Sequence, residues 1–246
     1  MKLHLLMAVL EAIAPQELTE PWDNSGLLCG DPQAEIKRAL CCLDATAGVL
    51  KKAEESGAEL IIAHHPLIFE GLKTLREDRY EGALLARLIR GRRALYAMHT
   101  NLDRAPGGVN DCLAEACGLQ SAAGSGFLRL GEIAPQSAEA YLGLLRAALG
   151  GEIAFYGDPG AALQRVAVSS GAGGEGYLEA LRGGAQAFVT GEMRHHEILR
   201  ALGAGLQVYL AGHFHSERVA LPALAAEIAR RTGIEALPCM GEEYLT

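Results

Sequence analysis

The sequence predicts an α/β protein made of two internally duplicated repeats, with mixed, mostly parallel sheets. Two observations carry this. Strand-length apolar runs alternate with segments of helical apolar spacing, the pattern of an α/β chain. In addition, residues 38–65 superpose on residues 165–192 at a constant shift of 127, placing Arg38-Ala-Leu-Cys-Cys-Leu43 over Arg165-Val-Ala-Val-Ser-Ser170 and Gly57-Ala-Glu-Leu-Ile-Ile62 over Gly184-Ala-Gln-Ala-Phe-Val189. A second shift of 114 places Leu95-Tyr-Ala-Met-His99 over Tyr209-Leu-Ala-Gly-His213, and Asp103 over Glu217.

Taken in order, Leu3, Leu6, Met7, Leu10 and Ile13 recur at helical spacing and predict an amphipathic first helix ended before Pro15. The apolar run there is short and Glu11 interrupts it, so it reads as a helix of the fold rather than a signal peptide. Strands are expected near 37–43, 59–63, 94–98, 126–130, 153–156, 165–169, 186–190, 206–211 and 235–239. Helices are expected at Ala47–Ser56, Glu81–Arg90, Val109–Cys117, Ser137–Leu149, Gly176–Arg182, Arg194–Leu202 and Glu217–Arg231. Gly233 is a stop signal for the last of these, and Pro222 leaves its start open, since proline suits only a first turn. The Gly/Ala/Ser stretch near 118–126 is the best join, giving a first repeat at 1–124 and a second at 125–246 around one shared centre.

Composition narrows the function classes. With 246 residues, half of them apolar, the chain can bury a substantial core. A net charge of −8 and no Lys/Arg-rich block argue against nucleic acid as the principal partner. No stretch approaches a membrane span. Six cysteines without a CxxC pair suit a reduced cytoplasm, with small buried thiols.

Three of the apolar runs end in potential metal donors. The run Glu59–Ala63 closes on His64-His65, followed by Pro66, which stops a strand. Successive side chains of a strand face opposite ways, so adjacent imidazoles at its end suit two ions better than one. Ala94–Ala97 leads to His99 and Asp103, and Leu206–Ala211 leads to His213 and Glu217. A His followed four residues later by an acid presents both on one face of a helix, a pairing that suits borderline divalent metals. Open α/β sheets place ligands at this carboxyl edge. Gly171-Ala-Gly-Gly-Glu-Gly176 fits GxGxxG, but its repeat partner Asp44-Ala-Thr-Ala-Gly-Val49 does not, so a tight turn is the simpler reading. GxxxxGK[ST] and GxSxG motifs are absent, which leaves kinase-like and serine-hydrolase readings without support.

The set Pro21-Trp-Asp-Asn-Ser-Gly26, Ala63-His-His-Pro-Leu67, His99-Thr-Asn-Leu-Asp103, Thr190-Gly-Glu192 and Gly212-His-Phe-His-Ser-Glu217 resembles the GTP cyclohydrolase I type 2 homologue family, the Nif-three-like proteins, over nearly the whole chain. The resemblance implies two intertwined α/β repeats and a toroidal homohexamer. It implies a dinuclear site held by His64, His65, Asp103, His213 and Glu217, with the glutamate able to bridge both ions. Zinc, iron, manganese, nickel and cobalt all accept such mixed donors. Two ions can activate a shared water, so the implied activity is hydrolytic, with ring opening of GTP the reaction suggested by the family name. A metal-dependent phosphoesterase, or a non-enzymatic regulatory protein acting through protein partners, are the alternatives. Glu192 and His99 are the candidate catalytic groups. Asn24, with Asp23 beside it, and His195, His196 and His215 are candidates for contacting substrate or orienting the ligands, whereas His4 reads as a surface residue.

Overall fold

The computed structural model describes residues 1–124 and 126–241; Ser125, inside the predicted join, lies outside the described residues. The chain divides into two compact units, one formed by Met1–Ala105 with the described residues from Leu221 onward, the other by Pro106–Ala220.

The first unit runs α1 (Leu3–Ile13), β1 (Gly26–Cys29), β2 (Arg38–Cys42), α2 (Ala47–Ser56), β3 (Leu60–Ala63), α3 (Tyr80–Arg90), β4 (Ala94–Ala97) and α4 (Thr100–Arg104). The second runs α5 (Val109–Ala116), β5 (Gln120–Ala123), β6 (Arg129–Ser137), α6 (Ala138–Leu149), β7 (Ala154–Tyr156), β8 (Ala162–Ser169), α7 (Tyr177–Arg182), β9 (Ala187–Thr190), α8 (His195–Gly203), β10 (Gln207–Leu210) and α9 (His213–Glu217). The chain then returns to the first unit with α10 (Leu221–Thr232) and β11 (Glu235–Pro238).

In the first unit the sheet order is β1-β4-β3-β2-β11, with β1 antiparallel to β4 and the rest parallel. Leu40, Cys42, Ile61, Ala63 and Leu95 face Val49, Leu50 and Ala53 of α2 and Leu84, Leu85 and Leu88 of α3. On this chain α10 packs on β2 and on α1. Alternate strand residues are buried on both faces, which explains the near-continuous apolar runs.

In the second unit the order is β5-β6-β8-β9-β10-β7, with β8, β9 and β10 parallel. Val166, Val168, Val189 and Tyr209 pack with Leu113 of α5 and with Tyr141, Leu142 and Leu145 of α6. Ala167, Phe188 and Val208 pack on the opposite side with Tyr177 and Ala180 of α7 and Ala201 of α8. The Tyr141 hydroxyl donates to the Cys117 carbonyl at 3.0 Å and that of Tyr209 to the Ala138 carbonyl at 2.9 Å, so both buried phenols are satisfied. Ser137 caps α6 by accepting from the Ala140 amide at 3.2 Å. Ser137→Ala is therefore expected to cost about 1 kcal/mol in urea unfolding.

The duplication is visible in the pairing. Ala39↔Leu60 in the first sheet and Val166↔Ala187 in the second obey the same shift of 127. The last strand of each repeat differs: Leu60 pairs with Ala94, whereas Ala187 pairs with Gln207, a shift of 113. The shift of 114 that aligns His99 with His213 therefore holds only beyond the strands, and the extra residue falls in the turn holding Gly212, at φ +79°.

Other boundaries also moved. The compact units do not divide at 124/125, because β5 pairs with β6 inside the second unit and β11 pairs with β2 inside the first. The strand expected at 126–130 is Arg129–Ser137, and a register shift between Glu132 and Gln136 accommodates Pro135. The helix expected from Glu217 begins at Leu221, after a 3₁₀ turn at Arg218–Ala220, which leaves Pro222 in its first turn. Among the described residues no helix is long and apolar enough to cross a membrane. None of the six cysteines is in a disulfide.

Candidate metal centre

The first unit gathers donors at the carboxyl edge of its parallel strands. His64 and His65 follow β3, and their amides still donate to the carbonyls of Cys42, the last residue of β2, and of Leu43 just after it, so the backbone of the pair is fixed. His99 follows β4 as the residue preceding α4. One ring nitrogen from each of His64, His65 and His99 lies within 4.8 Å of the others. Their ring centroids are 4.9, 5.2 and 5.6 Å apart.

Each of these imidazoles is anchored through Nδ1. His64 Nδ1 lies 2.8 Å from the Met98 carbonyl, His65 Nδ1 2.9 Å from Asp44 Oδ1, and His99 Nδ1 2.8 Å from Asp23 Oδ1. Carbonyl and carboxylate oxygens only accept, so Nδ1 donates in each ring and Nε2 carries the lone pair. Histidines that ligate metals are oriented in this way. His64 Nε2 lies 3.5 Å from Oδ1 of the buried Asp103.

Asp23 holds more than the His99 ring. It also accepts from the Thr100 amide at 3.1 Å, the Thr100 hydroxyl at 2.5 Å and the Ser25 hydroxyl at 3.1 Å. Burial raises the Asp23 pKa, but hydrogen bonds from His99 and Thr100 outweigh it and hold the carboxyl well below the usual range. Asn24 instead braces loops: its Nδ2 donates to the Ile68 carbonyl at 2.5 Å.

The second unit places its donors on α9. His213 and Glu217 sit one turn apart, with His213 Nε2 3.1 Å from Glu217 Oε1, and the Glu217 side chain is buried. Glu192, just after β9, is exposed and holds Oε1 3.4 Å from His213 Nδ1. Gly171 closes over this pair at φ +57°, its amide donating to Ser216 Oγ at 3.0 Å. A Cβ at Gly171 would press on Glu217 Oε1 and come within 3.2 Å of His213 Nε2.

The two His-x-x-x-acid motifs are thus not used alike. His213 pairs with Glu217, but His99 turns to Asp23 while Asp103 lies by His64. The extra residue at Gly212 puts His213 inside α9, whereas His99 precedes α4. His195 and His196 are exposed on the first turn of α8. His215 packs edge-on to Phe214 and against Gly150-Gly151; burial and the nearby Arg218 lower its pKa. The glycine-rich loop is a tight connection, a 3₁₀ turn at Gly173–Gly176 leading into α7.

Asp44 is the orienting group that sequence reasoning passed over. Its signal was position, since it follows β2 at the same sheet edge as His64-His65. Asp44→Asn is expected to weaken metal binding about 10–100-fold while leaving the melting temperature of the metal-free protein unchanged. Titration calorimetry with zinc, beside Asp44→Glu as the restoring variant, checks this.

The donor chemistry fits a divalent metal. Three anchored imidazoles, one of them 3.5 Å from a buried carboxylate, form a group that could hold one, and His213 and Glu217 belong to a second such group. Comparison with known proteins agrees with the α/β class and with the resemblance read from the motifs. A "GTP cyclohydrolase 1 type 2 homolog" of Clostridium perfringens is 33% identical over 244 residues, 94% of this chain and 92% of its own length. A Campylobacter jejuni protein of the same description is 33% identical over 230 residues, 93% of this chain and 92% of its own. The crystal structure of a Staphylococcus aureus hypothetical protein superposes with a TM-score of 0.92 at 28% identity, covering 98% of this chain and 97% of that one. A family profile described as Duf34/NIF3 (NGG1p interacting factor 3) matches residues 1–239, and the chain belongs to that family.

Proposed function

We propose that the protein is a dinuclear metal-dependent hydrolase in which His64, His65, Asp103, His213 and Glu217 together hold two divalent ions and an activated water attacks a nucleotide. The observation that carries this is the anchoring of His64, His65 and His99 through Nδ1, which leaves the Nε2 lone pairs of His64 and His65 for metal and that of His99 for a proton. Two ions held together lower the pKa of a water and polarise the group it attacks. Around them the protein's own groups supply orientation and proton transfer. Asp23 holds the His99 ring so that Nε2 takes up a proton, in the manner of a histidine–carboxylate base pair. Glu192, exposed and next to His213, exchanges protons with solvent. On this reading zinc, iron, manganese, nickel or cobalt serves, and the protein works in the cytoplasm as a ring of six copies.

The proteins of like description from Clostridium perfringens and Campylobacter jejuni support GTP as the first substrate to test. Protein loaded in turn with each metal is to be screened against GTP, other nucleotides and generic phosphoesters. Metal-dependent turnover that falls in His99→Gln, with metal content spared, is the expected result. No turnover with any metal would overturn the enzyme reading in favour of a metal-binding regulatory protein.

A further inference from the structure

Two large aromatic side chains stand exposed beside the histidine cluster of the first unit. Trp22 is 59% and Phe69 49% exposed, and their ring centroids are 5.9 Å apart. Each lies 6.3 Å from the His99 ring, at interplanar angles of 75° and 77°. They come from different loops, Trp22 from the segment before β1 and Phe69 from the segment after His65. Asn24 ties these loops through its bond to the Ile68 carbonyl. Asp23, next to Trp22, is tied in turn to His99 and Thr100. The aromatic pair is therefore set against the imidazoles by half-buried hydrogen bonds, not left on a loose surface.

We propose that Trp22 and Phe69 form a stacking platform for the flat heteroaromatic ring of the substrate, with Asn24 as the positioning residue that holds the two loops together. This rests on the hydrolase reading of the histidine cluster and narrows its substrate class. Aromatic faces recognise any π-conjugated ring, and they do so without reading hydrogen-bond patterns. Because His99 is edge-on to both rings and 5.2 and 5.6 Å from the His64 and His65 rings, a ring resting on the platform lies next to the cluster. A substrate without a flat ring leaves the platform unused.

Trp22 is the only tryptophan, so the protein's tryptophan emission reports this place alone. The metal-loaded protein is to be titrated with guanosine, adenosine and ribose phosphate, following emission. Saturable quenching by both nucleosides, none by ribose phosphate, and a midpoint weakened about 10-fold in Phe69→Ala is the expected result. Trp22→Ala, read by calorimetry, is expected to lose affinity to a similar degree. Asn24→Ala should weaken binding while Trp22→Phe largely retains it. Absence of saturable quenching, or an unchanged midpoint in Phe69→Ala, overturns the platform. So does an emission shift that follows protein concentration alone, which would mean that a second copy covers Trp22. Quenching without turnover under any metal strikes the hydrolase reading and leaves the platform standing. Turnover without quenching does the reverse.

Discussion

Glu217→Gln is expected to strip both ions from the protein, lowering metal affinity by at least about 100-fold without unfolding it. The amide has nearly the carboxylate's shape, so the packing of this buried side chain over α9 and under Gly171 is conserved. What changes is charge and hydrogen-bond sense. A carboxylate only accepts and is anionic, whereas the amide would point a donor or a neutral oxygen at a cation. The metal-free protein should lose nothing, because a buried carboxylate costs more to desolvate than an amide. The signature is therefore a difference. Saturating zinc should stabilise the unaltered protein by about 2.7 kcal/mol per site at 100 times the dissociation constant, raising its melting temperature, and leave that of the variant nearly unmoved. Loss of one ion alone would contradict a bridging role, and full retention would remove Glu217 from the ligand set.

Gly171→Ala should also weaken metal binding, by a different route. Gly171 sits at φ +57°, where an alanine costs roughly 1–2 kcal/mol of backbone strain. The larger effect is steric. The new methyl would fall on Glu217 Oε1 and crowd His213 Nε2, and both the Gly171 amide, bonded to Ser216 Oγ, and its carbonyl, bonded to the Glu192 amide at 2.8 Å, resist a shift. The carboxylate must move, and a drop in zinc affinity of about 10–100-fold is expected, like that from disturbing an orienting contact. Gly205→Ala is the control: its φ of +87° brings comparable strain, but no atom lies within 4 Å of its Cβ position. It should lose stability and keep its metal. Equal metal binding in the two variants would show that Gly171 matters only as a turn.

Much of this was legible in the sequence because the central strands are buried on both faces and read as unbroken apolar runs. β3, at Leu60–Ala63, and β9, at Ala187–Thr190, lie where the repeat and its shift of 127 placed them. The strands that escaped notice lack that signal. β1, Gly26–Cys29, is a four-residue antiparallel edge, and β5, Gln120–Ala123, is exposed throughout, so neither shows apolar contrast. The candidate donors were visible because imidazoles and acids cluster just beyond strand ends. Their pairing was not. That His213 pairs with Glu217 inside α9, while His99 precedes its helix and turns to Asp23, goes with one extra residue in the turn at Gly212, which alignment of the motifs absorbs without trace. The orienting role of Asp44 depends on a contact across 21 positions between two strand ends, which no local pattern encodes.

The stoichiometry of bound metal tests the central claim most directly. Protein reconstituted with zinc, freed of loosely bound ions and measured by inductively coupled plasma mass spectrometry against amino-acid analysis should hold two ions per chain. Removing His65 and Glu217 together should bring that to none. One ion per chain would contradict the dinuclear centre, and no retained ion under zinc, iron, manganese, nickel or cobalt would contradict the metal site altogether.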